Sequence, residues 1–288
     1  MKLSKIKASL GALGVAFALG SGSASAAVQF FFPITGFQDD DLEYHIDTND
    51  NDVLDVGDRL RGILEIPETF GVFGGGPASI LPHELTGIFD ITVTGKVATS
   101  TPGLFNFSFG PTASFATEFG LPANAMVALY LDSSPDLTIV PPNCTTTAAC
   151  EGLATDGMLW AVAGFGDADD QWIALNAADN IAVVQASGAS TVFGTVNFAL
   201  SVLLNNTGVV ILPQELDCFP FGPFACAGDG KTQVVGSGNI LGGRGLINGY
   251  QIRSDFDFQL QVPEPGTLAL VGIALLGLGG ALRKRAVI

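Results

Sequence analysis

The sequence Phe256-Asp257-Phe258-Gln259-Leu260-Gln261-Val262 alternates apolar and polar side chains. Neighbouring side chains of an extended strand point to opposite faces, so this stretch has one apolar and one polar face. The same alternation occurs in Phe105-Asn106-Phe107-Ser108-Phe109. Both stretches therefore predict half-buried β-strands.

Further short runs typical of strands lie on both sides of these two stretches, separated by Gly, Pro, Asn or Asp. They cover residues 28–32, 61–66, 87–93, 125–131, 158–165, 181–186, 194–204, 209–212 and 232–240. About a dozen short strands without a long helical period indicate an all-β protein, a β-sandwich or a related barrel. We expect one β-sandwich-like ectodomain over residues 28–262.

The charge balance is strongly acidic. The chain has 12 Lys and Arg residues against 28 Asp and Glu residues, a formal net charge of −16. Half of the basic residues lie close to the two chain ends, so the middle of the chain is more acidic still. Such a field repels nucleic acid and attracts divalent cations, and it also keeps an exported protein soluble. We expect no nucleic-acid partner.

The N-terminal segment has the three parts of a secretory signal. Lys2, Lys5 and Lys7 are followed by the apolar residues 10–19 and by the small residues Ala24-Ser25-Ala26. This order predicts a signal peptide at residues 1–27 that is cleaved on export. An uncleaved transmembrane helix is the alternative, but the apolar run is short for a bilayer of roughly 30 Å.

The C-terminal segment, residues 263–288, combines a short motif with an apolar stretch. Pro263, Glu264 and Pro265 precede the mostly apolar residues 268–282, and a basic cluster follows. The cluster consists of Arg283, Lys284 and Arg285. We expect a transmembrane helix whose basic end stays in the cytoplasm, which leaves the body of the protein outside.

In this order the tail resembles the PEP-CTERM sorting signal of exported bacterial proteins. The resemblance implies an exosortase as partner, an inner-membrane-anchored intermediate, and cleavage close to the motif. It also implies a final place in the cell envelope or extracellular matrix, with a link to exopolysaccharide and biofilm. A plain membrane anchor is the alternative, although an anchor does not require the sequence Pro-Glu-Pro.

The four cysteines form two close pairs in sequence, Cys144 with Cys150 and Cys218 with Cys226. A secreted protein meets an oxidising compartment, so we expect two local disulfides, one within each pair. Four cysteines allow three pairings, and their spacing does not decide among these. A four-cysteine zinc site is the alternative, but the spacings are wider than such sites use.

The acidic stretch over residues 47–58 has the spacing of a twelve-residue calcium loop. Such a loop places oxygen ligands at positions 1, 3, 5, 9 and 12 and a backbone carbonyl at position 7. The residues at these positions are Asp47, Asn49, Asn51, Asp55 and Asp58, with Val53 at the carbonyl position. Leu54 follows as an apolar anchor.

The stretch resembles the EF-hand-like calcium loops of dockerin modules. It departs from them at Asp52, where Gly is usual, and at Asp58, which replaces the usual bidentate Glu. Asp tolerates the left-handed conformation that this turn needs. We expect structural calcium, with an acidic solvated loop as the alternative.

Catalytic motifs are not evident. The chain has two His residues, His45 and His83, and no Gly-x-Ser-x-Gly or His-Glu-x-x-His sequence. We therefore expect a non-catalytic structural or adhesive protein. The alternative is a surface domain that binds or cleaves carbohydrate, based on Trp160, Trp172 and the acidic groups.

A second acidic group, Asp167, Asp169 and Asp170, precedes Trp172. We expect an exposed hairpin turn there with Trp172 in the core, and a cation or sugar site beside the indole ring is the alternative.

Overall fold

The computed structural model describes residues 28–139, 142–217 and 228–263. Several predicted features lie outside these ranges. They are the signal peptide, Cys218 and Cys226, the apolar tail with its basic cluster, and residues Glu264 and Pro265 of the sorting motif.

The described residues form mainly β-strands. The strands are β1 (Ile34–Ile46), β2 (Arg59–Gly71), β3 (Ala78–Ser79), β4 (Glu84–Ala98), β5 (Leu104–Pro111), β6 (Ala125–Asp132), β7 (Met158–Gly164), β8 (Gln171–Ala178), β9 (Val192–Asn205), β10 (Gln214–Glu215), β11 (Lys231–Thr232), β12 (Val234–Leu241) and β13 (Ile252–Gln261). The helices are short: α1 (Ala113–Phe119), α2 (Thr147–Ala154) and α3 (Ile181–Ala186). The mostly β prediction is confirmed.

The main sheet closes on itself. Its strands follow the order β3-β2-β1-β13-β12-β9-β7-β6-β4-β5-β8, and β2 also pairs with β4. A circuit therefore runs from β2 through β1, β13, β12, β9, β7, β6 and β4 back to β2. A second path joins β4 to β9 through β5 and β8. The pairings in this sheet are antiparallel.

The alternating stretch that predicts β13 does form a strand with one buried face. Phe256, Phe258 and Leu260 are buried and belong to the largest hydrophobic cluster. Phe258 lies opposite Phe37 of β1, and their rings stack with centroids 4.7 Å apart. The same cluster takes residues from the strands around the circuit, so the main core fills the inside of the closed sheet.

The opposite face of the sheet carries a second layer. Leu64 of β2 belongs to the main core, whereas its neighbour Ile63 packs with Leu42, Tyr250 and the Cys144–Cys150 disulfide. Because adjacent residues of a strand face opposite sides, this smaller cluster lies outside the circuit. Helix α2 contributes to it and covers part of β2 and β4.

Three of the predicted strands are wrong. Residues 181–186 form helix α3, because Asn180 caps its start by accepting a hydrogen bond from the Val183 N–H at 3.0 Å. Residues 28–32 precede β1 without forming a strand, and residues 209–212 make only one isolated bridge, from Leu212 to Gln261. The sandwich form of the sheet stays a prediction.

Over residues 28–139, 142–217 and 228–263, we find no helix that is both long and apolar enough to span a membrane. The predicted tail helix lies beyond these ranges.

Candidate functional site

The acidic loop over residues 47–58 connects β1 to β2 and is organised around Asp47. The Asp47 carboxylate accepts hydrogen bonds from the backbone N–H groups of Asn49, Asp50, Asn51 and Asp52 at 2.7–2.9 Å. These bonds, the one from Asn49 foremost, lower the pKa of Asp47. The first predicted calcium ligand therefore stays ionised and fixes the path of the loop.

Two residues of the loop take the left-handed conformation. Asp50 has φ of 57° and Asp52 has φ of 59°. Asp52 occupies the position where calcium loops use Gly for a sharp turn. Asp adopts this conformation with modest strain, so the departure from the dockerin-like pattern does not prevent the turn.

Asp58, the last predicted ligand, is fully buried. Its carboxylate accepts hydrogen bonds from the Thr48 N–H at 2.9 Å, the Thr48 hydroxyl at 2.6 Å and the Asp55 N–H at 2.8 Å. Burial acts to raise the pKa of Asp58, but the bonds from Thr48, Asp55 and His45 outweigh it and lower the pKa. The end of the loop thus holds a buried, ionised carboxylate.

His45 is a residue of this site that sequence reasoning missed. Its Nε2 atom lies 3.2 Å from Asp58 Oδ2, and its side chain is 2% exposed. Ligand atoms of His45, Asp47 and Asp58 lie within 4.8 Å of one another. The signal that could have revealed it is its place two residues before the loop, near the end of a strand.

Asp55, the ninth residue of the loop, is paired with a lysine from β4. Lys96 Nζ lies 2.9 Å from Asp55 Oδ1 and 2.8 Å from Asp179 Oδ2. Asn51 also donates to Asp55, at 2.9 Å. The loop is therefore tied to β4, and part of its negative charge is already neutralised.

The loop also docks onto the segment before α3. Val53 forms an isolated bridge with Asn180, and the Leu54 N–H donates to the Asp179 carbonyl at 2.7 Å. Leu54 is 4% exposed and belongs to the main core, as expected for its role as an anchor. Asn49 and Asn51 are held beside Asp47 by their own N–H groups, and the Val53 N–H donates to Asn51 Oδ1 at 2.7 Å.

A second acidic group was not anticipated. Ligand atoms of Glu84, Asp132 and Asp136 lie within 4.8 Å of one another. The Glu84 carboxylate already accepts hydrogen bonds from the N–H groups of Asp136 and Leu137 at 3.1 and 2.9 Å. Burial raises the pKa of Glu84 to about 7. These bonds give Glu84 a structural role at the start of β4.

The tryptophans predicted as an alternative sugar platform are buried. Trp160 and Trp172 are 5% and 4% exposed and lie in the main core. Asp170 accepts hydrogen bonds from the N–H groups of Gly166 and Asp167, which closes the turn before β8. The predicted exposed hairpin is wrong: β7 pairs with β6 and β9 while β8 pairs with β5 and β9, so this turn joins two strands that are not paired, and Asp169 and Asp170 are buried.

The disulfide between Cys144 and Cys150 is confirmed, with Cα atoms 5.1 Å apart. It joins the segment before α2 to the helix itself, and both cysteines are buried. The predicted pair Cys218 and Cys226 lies outside the described residues.

The sorting motif begins directly after the fold ends. β13 ends at Gln261, and the Val262 N–H still donates to the Pro33 carbonyl at 2.9 Å. Pro263 is the next residue. The body and the motif are therefore separated by almost no linker.

Comparison with known proteins identifies this tail. A family model described as the PEP-CTERM protein-sorting motif matches residues 261–285. PEP-CTERM motifs are recognised by exosortase, so the chain is an exported protein that passes through the membrane-associated sorting system. No curated protein and no solved structure matches the chain.

Proposed function

We propose that this chain is a non-catalytic structural or adhesive protein of the cell envelope or extracellular matrix, associated with exopolysaccharide and biofilm. The observation that carries the proposal is the continuity of β13 with the sorting motif at Val262 and Pro263. Because the linker is so short, cutting near the motif would release or transfer a folded body without a flexible stalk.

The test is localisation in a bacterium that makes an exosortase. The chain lacking residues 263–288 should accumulate away from the membrane, whereas the intact chain should reach the envelope or matrix. Immunoblots of membrane, envelope and medium fractions measure the distribution. Identical distributions of the two chains would contradict the proposal.

A matched variant separates sorting from plain anchoring. Pro263→Ala with Glu264→Ala and Pro265→Ala leaves the apolar stretch and the basic cluster unchanged. An exosortase substrate should then stay uncut in the membrane fraction. If this variant is distributed like the intact chain, the tail acts as a plain anchor.

The 47–58 loop supports a further part of the proposal, a structural calcium ion. Support comes from the ionised Asp47 and Asp58 carboxylates and from the left-handed turn at Asp52. Oxygen ligands from carboxylates, amides and a carbonyl are those that Ca²⁺ takes in proteins. Affinity in the range of extracellular modules, roughly 10⁻⁴–10⁻³ M, is expected.

Calorimetry and thermal melting of the intact protein, with calcium and with chelator, test this ion. Calcium should raise the melting midpoint, and Asp47→Asn should abolish the shift because it removes a ligand charge. Asp50→Asn is the matched control, since it changes the same charge at a loop position that is not a predicted ligand. No heat and no shift in the unaltered protein would overturn the calcium proposal.

The carbohydrate-binding alternative was based on an exposed aromatic surface at Trp160 and Trp172, and the fold does not present one. Trp160 and Trp172 face the core, so a glycan cannot stack on them in this fold. A glycan array and a hydrolase screen remain the direct test of that alternative.

A further inference from the structure

A cavity inside the closed sheet combines apolar walls with two acidic side chains. Its volume is about 50 Å³. Aromatic rings form much of the wall, among them Trp160, Trp172 and Phe256. Asp39 and Asp41 of β1 line the same cavity. They lie two residues apart on one strand, so both side chains reach the same face.

The two carboxyl groups are deeply buried and incompletely bonded. Asp39 is 4% exposed and Asp41 is 2% exposed. Within the described part of the chain, Asp39 Oδ1 and both carboxylate oxygens of Asp41 have no hydrogen-bond partner. The two carboxyl groups also lie close enough for one to donate to the other once it is protonated, so a proton shared between them is the alternative to a bound cation.

The cavity offers no counter-charge of its own. None of the described residues that line it is Lys, Arg or His. Burial is the largest cause that raises the pKa of both Asp39 and Asp41, and the charge of Asp39 raises the pKa of Asp41 further. A buried carboxylate without a partner is strongly unfavourable, so the pair needs a cation or a proton.

We propose that this cavity binds the ammonium group of a short primary amine. An ammonium group has three N–H donors, which equals the number of unsatisfied oxygens on Asp39 and Asp41. Aromatic faces such as those of Trp160 and Trp172 attract a cation within about 6 Å. The apolar wall suits a short alkyl group, and the volume limits that group to very few carbon atoms.

A metal ion fits the same cavity less well. Ca²⁺ takes six to eight oxygen ligands, and Zn²⁺ takes four nitrogen, sulfur or oxygen ligands. Of the described lining side chains, only Asp39 and Asp41 offer carboxylate oxygens, and the rest present carbon or an indole ring. The geometry therefore favours a cation that needs few polar contacts.

The test is binding of methylammonium to the intact protein, followed by calorimetry and by the melting midpoint. Methylammonium should bind and raise the midpoint. Tetramethylammonium, which carries the same charge but no N–H donor, should do neither. If both ions shift the midpoint equally, the response is a general salt effect and the proposal fails.

Three isosteric variants locate the site. Asp41→Asn and Asp39→Asn should each weaken methylammonium binding by roughly tenfold or more, a loss of about 1.4 kcal/mol or greater. Asp40→Asn is the matched control, since Asp40 is the exposed residue between them on the same strand. It removes the same charge and should bind like the unaltered protein.

Asp41→Asn replaces an unpaired buried carboxyl group by a neutral one of the same shape, so the variant should fold. Methylammonium binding that survives in both Asp39→Asn and Asp41→Asn would overturn the proposal. Calcium binding that Asp41→Asn abolishes and Asp47→Asn does not would instead assign the cavity to a metal.

Discussion

At the scale of single residues, Arg61 joins two helices to the outer face of the sheet. Its guanidinium donates to Glu118 of α1 at 2.7 and 2.8 Å and to Glu151 of α2 at 2.9 and 2.7 Å. Its side chain is 7% exposed, and the fully buried Asp90 lies 3.5 Å away. The buried Arg61 guanidinium thus offsets the negative charge of Glu118 and Glu151 and contributes to that of Asp90.

Replacing this arginine should destabilise the fold strongly. Arg61→Ala leaves the Glu151 carboxylate without its cation, whereas Asp90 keeps Arg59 as a partner. Breaking such a buried pair lowers the free energy of unfolding by about 3 kcal/mol. Denaturant unfolding measures the difference. Arg244→Ala, at an exposed arginine, is the control and should change stability by only about 0.5 kcal/mol. Equal effects at the two positions would contradict this role of Arg61.

Glu43 should make stability depend on pH. Burial raises its pKa to about 7 from an ordinary value of 4.5, although the Ser254 hydroxyl donates to it and opposes the shift. Between these two values the unfolded chain loses the proton while the folded protein keeps it. Stability therefore falls as pH rises from 4.5 to 7, by about 3 kcal/mol from this residue.

Denaturant unfolding of Glu43→Gln between pH 4.5 and 7 checks this expectation. The amide still accepts from Ser254 but does not titrate, so the decline of stability with pH should become shallower. Asp39 and Asp41 face the same interior and contribute in the same direction, so some decline should remain. A slope identical to that of the unaltered protein would refute the assignment.

At the scale of elements, the Cys144–Cys150 disulfide holds α2 beside the sheet. It closes a loop with a sequence separation of 6 residues. In the chain-entropy view, a loop this short stabilises a protein by about 2 kcal/mol. Cys144→Ala with Cys150→Ala should lower the free energy of unfolding by about this amount, as measured by denaturant titration.

The disulfide pairing itself can be mapped in the unaltered protein. Peptide mass mapping of the non-reduced protein tests the predicted pairing of Cys218 with Cys226. A mapped link between Cys144 and either of these residues would contradict the assigned disulfide.

The elements that the sequence predicted well are those with a clear alternation. β13 and β5 follow the pattern of Phe residues, and their apolar side chains do face the core. β1 was missed because its inward positions carry Asp39, Asp41 and Glu43 instead of apolar residues. A periodicity of hydrophobic residues cannot detect a strand whose buried side chains are acids.

Some features of the candidate site could be predicted from local sequence, and others could not. The spacing of residues 47–58 revealed the loop, its left-handed turn at Asp52 and its anchor at Leu54. His45 adjoins the loop in sequence, whereas Lys96 lies beside the loop only because β4 pairs with β2. A neighbour such as Lys96 depends on strand register, which local sequence does not determine.

At the scale of the whole molecule, β13 closes the circuit between β1 and β12. Eight residue pairs connect it to each neighbour, and its apolar face contributes to the main core. A chain that ends at residue 251 leaves two strand edges unpaired. It should lose the cooperative thermal transition that a chain ending at residue 262 retains, as followed by circular dichroism. Equal midpoints for both chains would show that closure is dispensable.

Because the first strand, β1, pairs with the last strand, β13, the sheet can close only after the end of the chain has been made. The N-terminal part of a chain is made first, so β1 waits with one edge open until β13 follows it across the membrane. The sorting motif comes directly after β13, and so it arrives as the sheet is being completed. An exosortase that acts on the tail therefore meets a body that has only just become able to fold. Early cleavage would therefore compete with slow closure of the sheet.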